Sequence, residues 1–268
     1  MKRRQFIQQS TAATALVGLG GLGLQSFNSS QAKKITILHT NDVHSHIDPF
    51  GPDDGRNANK GGVARRATLV ESIRKENPNT LLLDAGDIFQ GTPYFNYYGG
   101  ELEFKLMSML KYDLATIGNH DFDNGIDGLY AQMPHAKFDF VSANYDFSNT
   151  VMDTHVKPYK VFIKDGIKIG VFGLGIQLDG LVNKNLYKET VYNDPIGVAQ
   201  DMSRILKEEQ SCDLVICLSH IGYYYKKHPD LVSDLNLARG QDISHKHQLS
   251  QECSCKSSWC LWLISWES

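Results

Sequence analysis

Lys34-Ile-Thr-Ile-Leu-His-Thr-Asn41 runs directly into Asp42-Val-His44. Eight residues dominated by apolar and β-branched side chains form a strand, so the acid and the histidine behind them fall in the loop at its carboxyl end. The arrangement recurs downstream. Residues 80–83 lead into Asp84-Ala-Gly-Asp87, 114–117 into Gly118-Asn-His-Asp121, and 214–218 into Ser219-His220. Between them, 62–76 has helical spacing, with Val63, Ala67, Val70 and Ile73 on one face, and stops before Pro78. Residues 101–110, 126–133 and 195–209 read as further helices, and 138–143 as a strand. Asp165-Gly166 is a two-residue hairpin signal between 159–163 and 167–174. Strand and helix alternate, which predicts an α/β fold with parallel strands.

Open α/β sheets bind ligands beyond the carboxyl ends of their strands. Four strand ends therefore deliver Asp42, His44, Asp87, Asn119, His120 and His220 to one edge. Aspartate, histidine and asparagine form a mixed oxygen and nitrogen donor set, suited to zinc, manganese or magnesium rather than to a thiolate centre. One carboxylate can bridge two ions about 3.5–4 Å apart, and such a pair clamps a phosphoryl group and acidifies water. Gly86 and Gly118 let the backbone turn sharply beside them.

In order, Thr40-Asn-Asp-Val-His44, Gly86-Asp87, Gly118-Asn-His-Asp-Phe-Asp123 and Ser219-His220 resemble the successive motifs of the calcineurin-like metallophosphoesterases. Within that superfamily the first and third blocks resemble the 5′-nucleotidase/UDP-sugar hydrolase family, over roughly residues 35–240. The helix start Gly61-Gly62-Val-Ala-Arg65 belongs to the likeness. The resemblance implies a four-layer α/β/β/α sandwich with two divalent metal ions. Carried over by position, Asp42 and His44 bind one ion, Asp87 bridges, and Asn119 and His220 bind the other. His120, paired with Asp123, is the histidine outside the metal shell that stabilises the transition state or protonates the leaving oxygen. The family usually has Glu where this chain has Asp121, a departure given little weight. The implied reaction converts a nucleoside 5′-phosphate into nucleoside and phosphate, or cleaves a nucleotide sugar. Two other readings stay open: a generic or cyclic-nucleotide phosphodiesterase, and a non-catalytic remnant that binds metal weakly.

Other polar residues carry plainer expectations. His39 should be packed within its strand, His46 solvated or a support to the metal loop, and Asp84 structural. Arg65 and Arg66 suit an exposed helix face better than a phosphate contact. Asn144 could close the site's edge, and Tyr223-Tyr224-Tyr225 could line a pocket or form a surface cluster. Cys212 and Cys217 are expected on one strand, too far apart for a disulfide.

The 268 residues carry 27 basic and 30 acidic side chains, a formal charge of -3 with no basic block. Nucleic acid is therefore not an expected partner. The three positives of residues 1–32 (Lys2, Arg3, Arg4) precede the weakly apolar 12–24 run and then polar residues, the order of an export signal with twin-arginine character. Cleavage is expected after Ala32, leaving 24 basic against 30 acidic residues in an exported, periplasmic or extracellular protein. That apolar run has 13 residues and is too short to cross a membrane, so no integral span is expected. Residues 33–240 form the phosphoesterase domain. Residues 241–268 hold three of the five cysteines and all three tryptophans, an abrupt change expected of an anomalous, truncated or frame-shifted terminus. His245 and His247 retain a His-x-His spacing without the apolar strand and glycines the family places before it, which leaves them doubtful as metal ligands. The resemblance also implies a nucleotide-binding C-terminal domain, here expected, if present, as a separately encoded partner.

Overall fold

A computed structural model of the chain describes residues 33–227, 231–240 and 262–267. The leader, its cleavage site and the His245/His247 pair lie outside these residues. Strand β1 (Lys34–Thr40) is buried along nearly its whole length, and β2 (Thr80–Asp84) along all of it. Strands covered on both faces need continuous apolar runs, which is why these segments lack strict alternation. They pair in parallel with β3 (Leu114–Ala115), β4 (Asp139–Val141) and β6 (Val156–Lys157) in one sheet, β6 following the short β5 (Tyr145–Asp146) in the chain. The helices between them are α1 (Val63–Glu76), α2 (Pro93–Tyr98), α3 (Glu101–Met109) and α4 (Gly125–Gln132).

A second sheet begins with the hairpin of β7 (Tyr159–Lys164) and β8 (Ile167–Gly175), which turns at Asp165-Gly166 as expected. A four-residue helix α5 (Lys184–Tyr187) and a short β9 (Val191–Tyr192), paired with β5, lead to α6 (Pro195–Arg204). Asp194 caps α6 by accepting from the Ile196 and Gly197 amides, with Pro195 pre-set in the first turn. β10 (Leu214–His220) then joins β8 in parallel, and α7 (Asp234–Gly240) follows. From the tail, β11 (Trp262–Glu267) pairs antiparallel with β1.

Three apolar clusters define the layers. Leu38, Leu82 and Ala115 pack with Val70 of α1, Phe104 of α3 and Leu129 of α4 on one side of the first sheet. Its other face, with Ile35, Leu81, Leu83 and Leu114, packs on Ile169, Val171 and Leu218 of the second sheet. Phe172 and Leu174, on the far side of that sheet, meet Ala199 of α6 and Leu237 of α7. The order is therefore helices, sheet, sheet, helices: the four-layer sandwich.

Some local expectations change. Helix 195–209 is α-helical only to Arg204, and Ile205–Glu209 widens into a π turn closed by Gln210 N–H on the Ile205 carbonyl. Ser211 then turns through a left-handed conformation and Cys212 N–H returns to Leu206. Cys212 thus precedes β10 rather than sharing it with Cys217, and both are free thiols. β3 contributes only two residues to the ladder, and just beyond them Thr116 donates its hydroxyl to the Val141 carbonyl and its amide to the Asp84 carbonyl.

Candidate metal centre

The β1–β2 ladder does not stop where the strands do. Ala85 N–H donates to Thr40, Asp42 N–H to Gly86, His44 N–H to Asp87, and Ser45 N–H to Ile88, at 2.8–3.1 Å. The two loops are zipped together, and this register places Asp42 and His44 against Asp87. It requires Asp42, His44, Ser45 and Asp87 to adopt left-handed φ values of 51°, 44°, 53° and 57°. Non-glycine residues avoid that region, and clusters of such residues mark sites where structure enforces strain.

Asp87 is the shared point. Its Oδ2 lies 3.3 Å from His44 Nε2 and 3.2 Å from His220 Nε2. Asp42 Oδ1 is 3.8 Å from the same His44 nitrogen. One donor atom each from Asp42, Asp87 and His220 falls within 4.8 Å of the others, close enough to converge on a cation. His220 Nδ1 lies 2.8 Å from the Ala85 carbonyl. That contact holds the proton on Nδ1 and aims Nε2 at Asp87. Asn41 donates from its amide to Asp42 Oδ2, which orients that carboxylate.

Electrostatics reinforce the geometry. Burial alone would raise the Asp87 carboxyl, but hydrogen bonds from His220 and His44 hold it well below the usual range. Burial opposes charge on His220, yet the Asp87 contact wins and lifts it to about 9. The Asp87 hydrogen bond likewise outweighs burial and raises His44. Both shifts favour positive charge at the nitrogens that face Asp87, where a metal would bring its charge, so the donor set fits a divalent metal.

Asn119 and His120 follow β3. Asn119 is half-buried and leads the short turn His120–Phe122 without using its side chain as a cap. His120 Nδ1 is 3.1 Å from Asp123 Oδ2, and its ring meets His44 edge-on at 5.3 Å between centroids. His120 N–H donates to Asp87 Oδ1 at 2.8 Å, joining this loop to the shared carboxylate.

Other residues fall outside the group. Asp84 is fully buried, accepting from Thr40 at 2.5 Å and Gly86 N–H at 2.9 Å, and burial pushes it up to about 7. Asn144 is structural as well: it donates to the Gly175 carbonyl and accepts from the Gly175 amide, lacing the sheets together. Arg66 reaches the Tyr112 hydroxyl and Arg65 the Asn59 carbonyl. Tyr223 and Tyr224 are exposed, while Tyr225 folds back to donate to Ile221. His39 lies within β1, where burial lowers it to about 4. Burial also lowers His46, which packs on Phe50.

Asp121, given little weight in the sequence, is buried at the centre of the loop system and accepts four backbone hydrogen bonds. Burial and the neighbouring Asp87 charge push it up to about 6. Its place in the Gly118-Asn-His-Asp motif, where the resembled family usually has Glu, does not say which backbone the side chain meets.

Known proteins resemble this chain in sequence and in fold. A 5′-nucleotidase from human is 36% identical over 224 residues, covering 80% of this chain and 38% of that protein. A venom 5′-nucleotidase from Crotalus adamanteus is 35% identical over 198 residues, covering 71% and 33%. The solved 5′-nucleotidase precursor of Thermus thermophilus superimposes with a TM-score of 0.65 at 36% identity, over 71% of this chain and 38% of that one. The NAD nucleotidase of Haemophilus influenzae gives 0.63 at 32%, over 75% and 36%. The chain thus spans about two-fifths or less of the length of these relatives. The calcineurin-like phosphoesterase model matches residues 35–249, and with that match over strand-end loops that converge on Asp87, the chain belongs to the calcineurin-like phosphoesterases.

Proposed function

We propose that this domain hydrolyses phosphate monoesters of the nucleoside 5′-phosphate type. The observation that carries this reading is Asp87 Oδ2 between His44 and His220, with Asp42 alongside and the His120–Asp123 pair at the rim. Relatives described as 5′-nucleotidases favour a nucleotide over other phosphoesters. Asp42 and His44 would hold one divalent ion, Asn119 and His220 a second, and Asp87 would serve both. Such a pair supplies Lewis acidity and an acidified water to phosphoryl transfer.

The chain's own groups do the rest. Asp123 accepts from His120 Nδ1–H, which leaves Nε2 to face the ester and carry a proton toward the leaving oxygen. The side chains of His44, Asp42, His120 and Asp123 are each about one-third exposed, so a phosphate reaches them from solvent while Asp87 and His220 stay behind. The basic leader is consistent with export, and among the described residues no helix is long and apolar enough to cross a membrane. A nucleotide-binding domain, on this polypeptide or another, would supply contacts to the nucleoside, since base stacking adds about 1–3 kcal/mol.

The test is phosphate release from AMP by purified protein with manganese or zinc added, beside His120→Ala and a bis-phosphodiester substrate. A metal-dependent rate on AMP, lost in H120A, supports the reading. Faster cleavage of the diester replaces it with a phosphodiesterase. Equal, negligible rates in wild type and variant leave only a metal-binding remnant.

A further inference from the structure

Asp121 is a buried carboxylate for which the proposed chemistry has no direct use. Its Oδ1 accepts from Ile88 N–H at 2.8 Å and Phe89 N–H at 3.2 Å. Its Oδ2 accepts from Asp87 N–H at 3.1 Å and Gly118 N–H at 2.8 Å. Three successive amides converge on one side chain because Asp87 is left-handed, which makes residues 87–89 a concave nest for an anion. The tie is returned, for Asp87 Oδ1 accepts from His120 N–H. Each loop therefore holds the other loop's acid. Gly86 and Gly118 allow the approach: a Cβ on Gly86 would lie 2.6 Å from Gly118 N, and one on Gly118 would lie 2.2 Å from Asp87 Oδ1.

We propose that Asp121 is a positioning residue for the hydrolytic reaction: it clamps the 87–89 turn so that Asp87 Oδ2 stays between His44 and His220, and so governs whether a second cation binds. This rests on the reading of Asp87 as the shared ligand. The side chain acts through Asp87 and touches neither substrate nor ion. Asparagine has nearly the same shape but turns one acceptor into a donor, leaving two of the four amides facing N–H groups. Glutamate keeps the charge and both acceptors but lengthens the arm by one methylene.

The experiment titrates Mn²⁺ into the metal-free full chain of wild type, Asp121→Asn and Asp121→Glu. It reads stoichiometry by calorimetry, the spin-coupled Mn–Mn signal by electron paramagnetic resonance, and kcat and KM on AMP. D121N should bind the first ion within about threefold of wild type, bind the second at least about tenfold more weakly, and lose most of the coupled signal. Its kcat should fall with KM within about twofold. D121E should recover more second-site affinity than D121N, the opposite of the order expected if Asp121 only filled space. A D121N protein of lower melting temperature with unchanged second-site affinity and coupling overturns the proposal. If D121N does not fold, D121E decides: two coupled ions support the clamp, and a folded D121E binding one ion overturns it. A wild type that binds two ions without cleaving AMP defeats the proposed function while the variants still test the clamp. A wild type that never binds a pair overturns the clamp itself.

Discussion

Gly118→Ala tests whether the metal loops tolerate any relaxation. The new Cβ would stand 2.2 Å from Asp87 Oδ1, 2.9 Å from its Cγ and 2.5 Å from its backbone nitrogen. The last contact is with main chain, so a change of Asp87 rotamer cannot relieve it. Separation has to grow by roughly 1 Å, and a displacement of that size near reacting groups costs about 10²-fold in rate. Overpacking should also destabilise the protein by about 1–3 kcal/mol. The informative control is Gly173→Ala, whose Cβ would meet Thr116 Oγ1 at 2.2 Å and the Val141 carbonyl at 2.4 Å, neither of them a proposed metal ligand. Both variants should melt earlier. Only G118A should lose bound metal, measured by elemental analysis after dialysis against micromolar Mn²⁺, and only its folded fraction should lose kcat. A G118A protein holding its full metal content with kcat within twofold of wild type would refute the argument, as would equal metal loss from G173A.

His120→Ala should lower kcat by about 10²–10⁴-fold with metal content unchanged, and loss of metal would place His120 in the coordination shell instead. Metal affinity should rise with pH below about 9, because a cation must displace the proton that Asp87 stabilises on His220. For this one proton the slope approaches tenfold per pH unit and flattens above 9; a level calorimetric profile from pH 6 to 9 contradicts it. The same shift makes the His220–Asp87 contribution to metal-free stability complete below pH 6.5 and lost as pH rises through about 9. Asp84 runs the other way from an ordinary paired acid: its folded value is raised from 3.8 to about 7, so the folded state keeps its proton longer and this contribution declines between those values. Asp84→Asn should remove that decline from the pH dependence of urea unfolding, and an unchanged profile rejects the assignment.

Much of the architecture was legible because burial writes itself into side chains. Stretches rich in apolar and β-branched residues marked β1 and β2 as strands, and both are almost wholly buried. Asp165-Gly166 gave the hairpin, and Asn193-Asp194-Pro195 sits where α6 is capped. Asp42, Asp87 and His220, read at three strand ends, lie together for a related reason: a donor just past a strand end has few places to go. What the sequence did not carry was backbone conformation. The π turn at Ile205–Glu209 and the early end of β3 depend on where carbonyls find partners, which residue type barely constrains. Asp121 was underrated for the same cause, since all four of its partners are amides that every non-proline residue possesses.

The same distinction bears on how the centre is held together. Four non-glycine residues held left-handed in the two zipped loops would cost about 1–2 kcal/mol each if free to relax. A cation could offset that strain, but in this arrangement it does not have to. The loop amides of 42, 44 and 45 continue the β1–β2 ladder, and those of 87–89 are taken by Asp121. Releasing one strained residue would therefore forfeit a ladder bond as well as a donor position. Backbone hydrogen bonds within the chain thus secure that strain and help keep Asp87 between His44 and His220.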